Sequence, residues 1–392
     1  MKITPADPNL HLMPIAKITA DAFTHGEYVE EIAQTYIGNC NYDWDVTRLI
    51  WNESQLVHHW GVWGYPMRLG SVQLKVAGVG AVTTREEYRK RGLMQQAASA
   101  SFEAMRENGY DLSILRGRHY VKYGYARAWN YITYRLKPEE IPSFTLKHPY
   151  LKLGAEYIST MDSLYNEAHQ AFSGTAVRPT YRLKSVEDMS AYGWFENGKL
   201  TGYVRALPPE DEKDNLQCLE AVGDPQQALA VMSKLFKQGD YKTMTFFTLP
   251  AQHTLLQLIR SGNCIVENRY FATSGWRVKI INLRSTLEKV HPLLETRLKE
   301  SHFENWKGQL LLDAGEQQVA LDIANGKVLL TAGCPTEHCI HGGAGIGRLL
   351  IGSDEPAEVI RQECITCNGD AMELAHALFP NMYPMLSQWD EI

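Results

Sequence analysis

The sequence predicts a mixed chain of α/β and α+β character built from three units. The length of 392 residues exceeds what one ordinary core organises, since domains run to about 100–200 residues. A hairpin, strand, helix, strand order appears within residues 56–136 and returns within 192–261. From Trp276 onward the order changes to a helix followed by a hairpin. The expected units are therefore 1–140, 141–275 and 276–392.

Along the first unit, residues 10–35 read as helical, with Ile15, Ile18, Ala22 and Phe23 at helix-like spacing. Residues 56–84 are rich in aromatic and β-branched side chains broken by Gly-Tyr-Pro, which predicts a strand meander. A helix follows Gly92, with Leu93, Ala97, Ala100, Ala104 and Met105 inward. Asp111–Leu115 and Trp129–Leu136 read as strands. In the second unit, Tyr192–Ala206 is a hairpin turning at Asn197-Gly198. Strand Leu216–Val222, a helix at 225–237, strand Lys242–Leu249 and a helix at 252–261 follow. The third unit holds an amphipathic helix at 285–300 and a hairpin Gln309–Ala332 turning at Asn325-Gly326. Short helices after Gly345 and Glu355 complete it.

Composition narrows the function classes. A net charge of −6 argues against non-specific binding to nucleic acid or anionic membrane. No run of 18 apolar residues predicts a membrane span, and the N-terminal stretch lacks the apolar core and cleavage site of a signal peptide. Seven scattered cysteines suit a reducing, cytoplasmic setting better than a disulfide framework.

The most informative stretch is GVGAVTTREEYRKRGLMQQAASASFEAM. A strand ending at Thr84 leads to Arg89, Lys90, Arg91 and Gly92, and a helix opens at once. Free backbone N–H groups and the dipole at a helix start attract anions, and glycine lets a diphosphate approach closely. A solvated basic turn is the alternative for Arg-Lys-Arg-Gly alone; the preceding strand and the Ala-rich helix favour an anion site.

This stretch resembles motif A of the GCN5-related N-acetyltransferases (GNAT), whose loop follows Arg/Gln-x-x-Gly-x-Gly/Ala. Arg89 and Gly92 match it, and Met94 departs from it at the last position. Further on, RHYVKYGYARAWNY resembles the Tyr-x-x-Phe-Gly-Tyr segment of the enhanced-intracellular-survival (Eis) branch through Tyr120, Tyr123, Gly124 and Tyr125. The resemblance implies tandem GNAT-fold domains, mixed sheets flanked by helices, followed by a sterol-carrier-like α/β domain. It also implies acetyl-CoA as co-substrate, a small-molecule amine or a lysine-bearing acceptor, and a homo-oligomer such as a hexamer. Ala81, Val82 and Thr84 would flank pantetheine, and Arg89, Lys90, Arg91, Gly92 and Leu93 would hold the diphosphate. The second unit reads LEAVGDPQQALAV at the corresponding place, with no Arg or Lys, so one cofactor site per chain is expected.

Acyl transfer to an amine requires amine deprotonation, oxyanion stabilisation and protonation of the leaving thiolate. The resemblance assigns Tyr125 as general acid and, near Val82, a backbone N–H as oxyanion donor. It assigns the base to a terminal carboxylate, here Ile392, with Asp390, Glu391 and His119 as alternatives. Arg116 and Arg118 stand where branch members carry an acidic residue, so carboxylates for a cationic acceptor would come from elsewhere, such as Glu30 and Glu31. Cys334, His338, Cys339, His341, Cys364 and Cys367 lie close in sequence, and Cys364-x-x-Cys367 has a zinc half-site spacing. The remaining spacing is irregular, so free thiols are expected and no metal. The competing functional classes are a non-catalytic acyl-CoA or lipid sensor and an assembly protein.

Overall fold

The computed structural model describes residues 1–38, 41–180 and 190–391. The first segment gives β1 (Lys2–Pro5), α1 (Pro8–Phe23), α2 (Val29–Glu31), β2 (Arg48–Asn52), β3 (Gln55–Leu69), β4 (Val72–Thr84), α3 (Leu93–Glu107), β5 (Leu112–Arg116), β6 (Ala126–Arg127) and β7 (Tyr131–Leu136). The middle gives β8 (Tyr150–Lys152), α4 (Ile158–Ala168), β9 (Ala191–Glu196), β10 (Lys199–Leu207), β11 (Asn215–Val222), α5 (Pro225–Gln238), β12 (Thr243–Phe247), α6 (Thr254–Arg260) and β13 (Ile265–Arg269). The last part gives β14 (Trp276–Ile280), α7 (Leu283–Lys299), β15 (Lys307–Asp313), β16 (Gln318–Ala324), β17 (Lys327–Ala332), β18 (His338–His341), α8 (Gly345–Ile351), α9 (Pro356–Gln362), β19 (Thr366–Asn368) and α10 (Ala371–Leu378).

These strands form three mixed sheets, ordered β1-β2-β3-β4-β5-β14-β6, β13-β7-β12-β11-β10-β9-β8 and β17-β16-β15-β18-β19. The class is the expected mixture of α and β, but two strands lie outside the unit their sequence position suggests. β7 pairs antiparallel with β12 and β13 in the second sheet. β14 pairs antiparallel with β5 and β6 in the first. The cuts at 140 and 275 therefore do not separate the sheets. Alternation along a strand encodes which face is buried and says nothing of which neighbour it will find.

The first helical segment also differs from expectation. Asp7 caps α1 by accepting from the Asn9 N–H, with Pro8 at the first position. Ile15, Ala16, Ile18, Thr19 and Ala20 form its buried side, whereas Ala22 and Phe23 are exposed. His25 and Gly26 adopt left-handed backbone, which ends the helix before a separate π-helical stretch at Ile32–Ile37. On α3 the inward side holds Leu93, Ala97, Ala98, Ser101, Phe102, Ala104 and Met105, with Ala100 half-buried.

Three cores follow. Leu93, Ala97, Phe102, Trp60, Val62, Leu115 and Tyr125 pack between α3 and one face of the first sheet. Tyr134, Leu136, Leu216, Leu229, Met244 and Phe246 form the second unit's core. The largest cluster joins the opposite face of the first sheet (Leu112, Ile114, Val278) to the third unit (Leu287, Leu294, Leu310, Leu374). Trp276 belongs to it, almost fully buried and stacked on Trp129 at 5.6 Å between centroids.

Candidate active site

The site begins where two parallel strands part. β4 and β5 pair only at Val76↔Leu112, Ala77↔Ser113 and Gly78↔Ile114. β4 then continues to Thr84 without a β5 partner, leaving a wedge whose apex is Gly78–Ile114. On its other side β4 stays paired with β3, with a register shift between His59 and Gly61. Opposite that shift Ala81 has φ +48, so the strand bulges at Ala81–Val82. Ala81, Val82 and Thr84 thus lie along the open arm of the wedge.

Two buried histidines, absent from the sequence-based candidates, hold this arm. His59 Nδ1 lies 2.8 Å from the Ala81 carbonyl, which can only accept, so Nδ1 carries the proton. Nε2 then accepts from the Tyr42 hydroxyl at 2.7 Å. Burial pulls the His59 pKa down to about 4 and that of His58 to about 3, so both rings are neutral at pH 7. His58 Nδ1 contacts the Thr84 hydroxyl at 2.7 Å. The adjacent His-His in an otherwise apolar run was the available sequence signal.

Beyond Thr84 a turn leads into α3. Gly92 caps the helix with φ +74 and no side-chain cap, so the first N–H groups of α3 have no side-chain acceptor. A β-carbon built on Gly92 would meet nothing within 4 Å, so the approach is open. Arg89, Lys90 and Arg91 are exposed around it. Arg89 Nε donates to the Thr84 carbonyl at 3.3 Å, and Arg91 Nη2 to the Glu87 carbonyl at 2.9 Å. The Leu93 side chain is buried in the core, so only its backbone faces the opening. Three cations and an uncapped helix start make a site suited to a diphosphate.

Tyr125 lies at the apex. Its hydroxyl is 2.7 Å from Ser113 Oγ, and Ser113 Oγ in turn donates to the Ala77 carbonyl at 3.0 Å. Ser113 has one proton and uses it on Ala77, so Tyr125 is the donor to Ser113. Burial pushes the Tyr125 pKa well above the ordinary tyrosine value, which keeps the phenol protonated. Phe102 and Tyr120 contact its ring in tilted and edge arrangements, and Trp60 meets Tyr120 edge-on behind them. Tyr120 is half-buried, its pKa raised to about 12 mainly by burial, and His119 is exposed on the turn Arg118–Tyr123. Ile392 lies outside the described residues, but its neighbour Glu391 is placed. Glu391 accepts from Arg116 at 3.0 Å and from the Tyr131 hydroxyl at 3.0 Å. Glu30 and Glu31 are exposed on α2.

The second unit offers the contrast. Its parallel pair β11–β12 ends at Cys218↔Phe246, after which the strands also part. There the free edge is closed from within: Thr248 donates to the Leu219 carbonyl at 3.3 Å and His253 Nε2 to the Ala221 carbonyl at 3.0 Å. The Asp224 carboxylate caps α5 by accepting from Gln226 and Gln227 N–H, and it pairs with Lys147 at 2.6 Å. An anion arriving at that helix start would meet a carboxylate already in place. In the third unit Cys334 and Cys364 are exposed and Cys339 is buried, and all are free thiols. Among the described residues no cluster of three or more His, Cys, Asp or Glu could hold a metal. No helix among them is long and apolar enough to cross a membrane.

Comparison with known proteins agrees with this geometry. Residues 12–128 match the family model described as an acetyltransferase (GNAT) domain. Among curated proteins none matches. A GCN5-related N-acetyltransferase from Anabaena variabilis superposes with a TM-score of 0.76 at 17% identity, covering 98% of each chain. A probable N-acyltransferase from Enterococcus faecalis gives 0.74 at 15% identity, and Eis1 from Mycobacterium abscessus 0.72 at 15%, each covering 99% of both chains. At these identities the superpositions speak for the fold along the whole length, while the family match identifies the part that carries the wedge, the cradle and Tyr125. The chain carries a GNAT acetyltransferase domain over residues 12–128, and it is this domain that gives it the acyltransferase class.

Proposed function

We propose that the chain transfers the acetyl group of acetyl-CoA directly to an amine, on a small molecule or a lysine side chain, at one site per chain. The observation that carries this reading is the convergence of the open β4 arm, the uncapped start of α3 beside Arg89, Lys90 and Arg91, and the Tyr125 hydroxyl at the apex. The amine nitrogen attacks the thioester carbon, forming a C–N bond and a tetrahedral oxyanion that a backbone N–H near Val82 stabilises. As the C–S bond breaks, Tyr125 gives its proton to the departing thiolate and is reprotonated from solvent. A carboxylate in the segment ending at Ile392 takes the amine proton. The third unit, by its resemblance to sterol carriers, is a candidate lipid-binding module.

Calorimetric titration with acetyl-CoA, followed by a thiol-release assay over an amine panel, tests the reading. One molecule bound per chain with thiol released only in the presence of an amine is the expected result. Binding without transfer to any amine would instead fit a sensor.

A further inference from the structure

A cavity of about 560 Å³ runs along α3, between that helix, the turn ending at Lys122–Gly124 and the third-unit loops 314–317 and 343–344. Small-molecule pockets occupy about 300–1,000 Å³, so the space can take an organic ligand. Arg89, Lys90, Arg91 and Gly92 lie outside its walls, which separates it from the diphosphate cradle. On one side it is lined by Lys279 of β14. Alternation along β14 sends Val278 and Ile280 into the core shared with the third unit. Lys279 therefore takes the opposite face, directly across from Ser113, which accepts from Tyr125.

A lysine within a buried strand is uncommon unless its ammonium group has a partner. Among the described residues, Lys279 Nζ has no hydrogen bond and no ion pair. It rests 5.0 Å from the centre of the Phe102 ring, and a β-carbon built on Gly124 would come within 2.7 Å of it. Burial lowers the Lys279 pKa even though the Glu316 carboxylate opposes that shift, so an anion in the cavity would stabilise the charged form. The surrounding charges leave room for one. Arg106 and Glu316 satisfy each other at 3.5 Å. Lys122 lies 5.0 Å from the Tyr123 ring centre, with no carboxylate on it among the described residues. Lys122 and Lys279 together outweigh the exposed Glu103, and the cavity is net positive in a chain of net charge −6.

We propose that this cavity binds the phosphate monoester of a small organic molecule, with Lys279 and Lys122 holding the phosphate and Gln95 and Ser99 donating from α3. Phosphate is favoured over carboxylate by the kind of cation left unpaired. A guanidinium fork matches a planar carboxylate, and the Arg106 fork is already engaged by Glu316. An ammonium is a point charge with rotatable donors, suited to a tetrahedral group with three acceptor oxygens and about −1.5 to −2 charges at pH 7. The half-buried Tyr123 ring gives the organic part an apolar wall. The monoester has two possible sources, a separate metabolite or the ribose phosphate of CoA itself.

The test is calorimetric titration of the full chain with AMP, inorganic phosphate and succinate, in an Arg89→Ala/Arg91→Ala background that removes cations of the cradle. AMP and phosphate are expected to bind, and adding Lys279→Met should weaken both about 10-fold or more, the loss of one charge-assisted contact. Ser99→Trp fills the cavity from the exposed side of α3 and should block AMP without touching Lys279. Urea midpoints near the parent value in both variants make the loss one of binding and not of folding. Succinate should bind more weakly than phosphate. No binding of AMP or phosphate, equal affinity with and without Lys279→Met, or tighter binding of succinate overturns the proposal. In the otherwise wild-type chain, AMP binding alongside saturating CoA assigns the cavity to a separate metabolite. Competition that Lys279→Met abolishes assigns it to the ribose phosphate of CoA. If CoA does not bind at all, the acetyltransferase reading fails by itself, and the AMP titration still decides the cavity.

Discussion

Replacing Tyr125 by Phe keeps the ring against Phe102 and Tyr120 and removes one hydroxyl. The structural cost is the lost donation to Ser113, which still donates to Ala77. One buried hydrogen bond is worth about 1 kcal/mol net. Against a typical stability of about 5–15 kcal/mol, such a loss leaves essentially all of the protein folded. Loss of a general acid should lower turnover by about 10²–10⁴, or roughly 3–5 kcal/mol of barrier. The informative partner is Ser113→Ala. That change strands the Tyr125 hydroxyl and the Ala77 carbonyl without their partner, costing about 1–3 kcal/mol, yet it retains the acid. The expected orders are therefore opposite: Ser113→Ala is the less stable variant and the more active one. Chemical denaturation gives the first order, and single-turnover thiol release, which isolates the chemical step, gives the second. Acetyl-CoA affinity should remain near wild type in both. Near-wild-type single-turnover rates in Tyr125→Phe, or equal losses in the two variants, would refute the assignment and turn attention to Tyr120.

Three further outcomes are expected. The double variant Arg89→Ala/Arg91→Ala should weaken acetyl-CoA binding by about 1–3 kcal/mol, whereas Lys147→Ala in the second unit should leave affinity and the 1:1 stoichiometry unchanged by calorimetry. His59 is held neutral with its folded pKa near 4, below the unfolded value of 6.5. The unfolded chain therefore binds the extra proton first, and stability is full above pH 6.5 and lost as pH falls toward 4, at about 1.4 kcal/mol per pH unit. Urea unfolding of wild type and His59→Gln across pH 4–7 should differ by that slope. Leu287→Ala, in the core shared by the first sheet and the third unit, should cost about 2–5 kcal/mol without splitting the unfolding transition in two.

The parts of the site legible in the sequence are those written in contiguous residues. The strand into Thr84, the basic turn, Gly92 and the Ala-rich helix are each a local signal, and all four occupy adjoining places in the structure. Tyr125 was legible only through its segment pattern, since nothing in composition separates it from Tyr120 or Tyr123. What escaped depends on pairing across the chain. The hydrophobic alternation of Trp276–Ile280 fits either of two sheets, and its choice of the first follows from Leu112, Ile114 and the third unit burying against it together. His59 looked like part of an apolar strand because its role rests on Ala81, 22 residues away across a bulge, and on Tyr42, 17 residues before it.

The second unit shows the same division more sharply. Its lack of Arg or Lys beside Gly223 was visible at once, and the structure gives that absence a physical form. Asp224 already occupies the α5 N-terminus, and Thr248 and His253 take the carbonyls of the free β11 edge. With the Leu219 and Ala221 carbonyls taken in this way, the arm has fewer backbone acceptors to offer a ligand, so loss of the cradle and closure of the wedge reinforce each other. The same unit nonetheless buries Arg178 and Glu220 against Asp390, a contact spanning 212 positions that no local pattern announces. Buried guanidiniums and carboxylates are costly to desolvate and persist where their mutual geometry is well satisfied. Here that geometry fixes the segment carrying Glu391, whose carboxylate meets Arg116 at the end of β5 and Tyr131 at the start of β7.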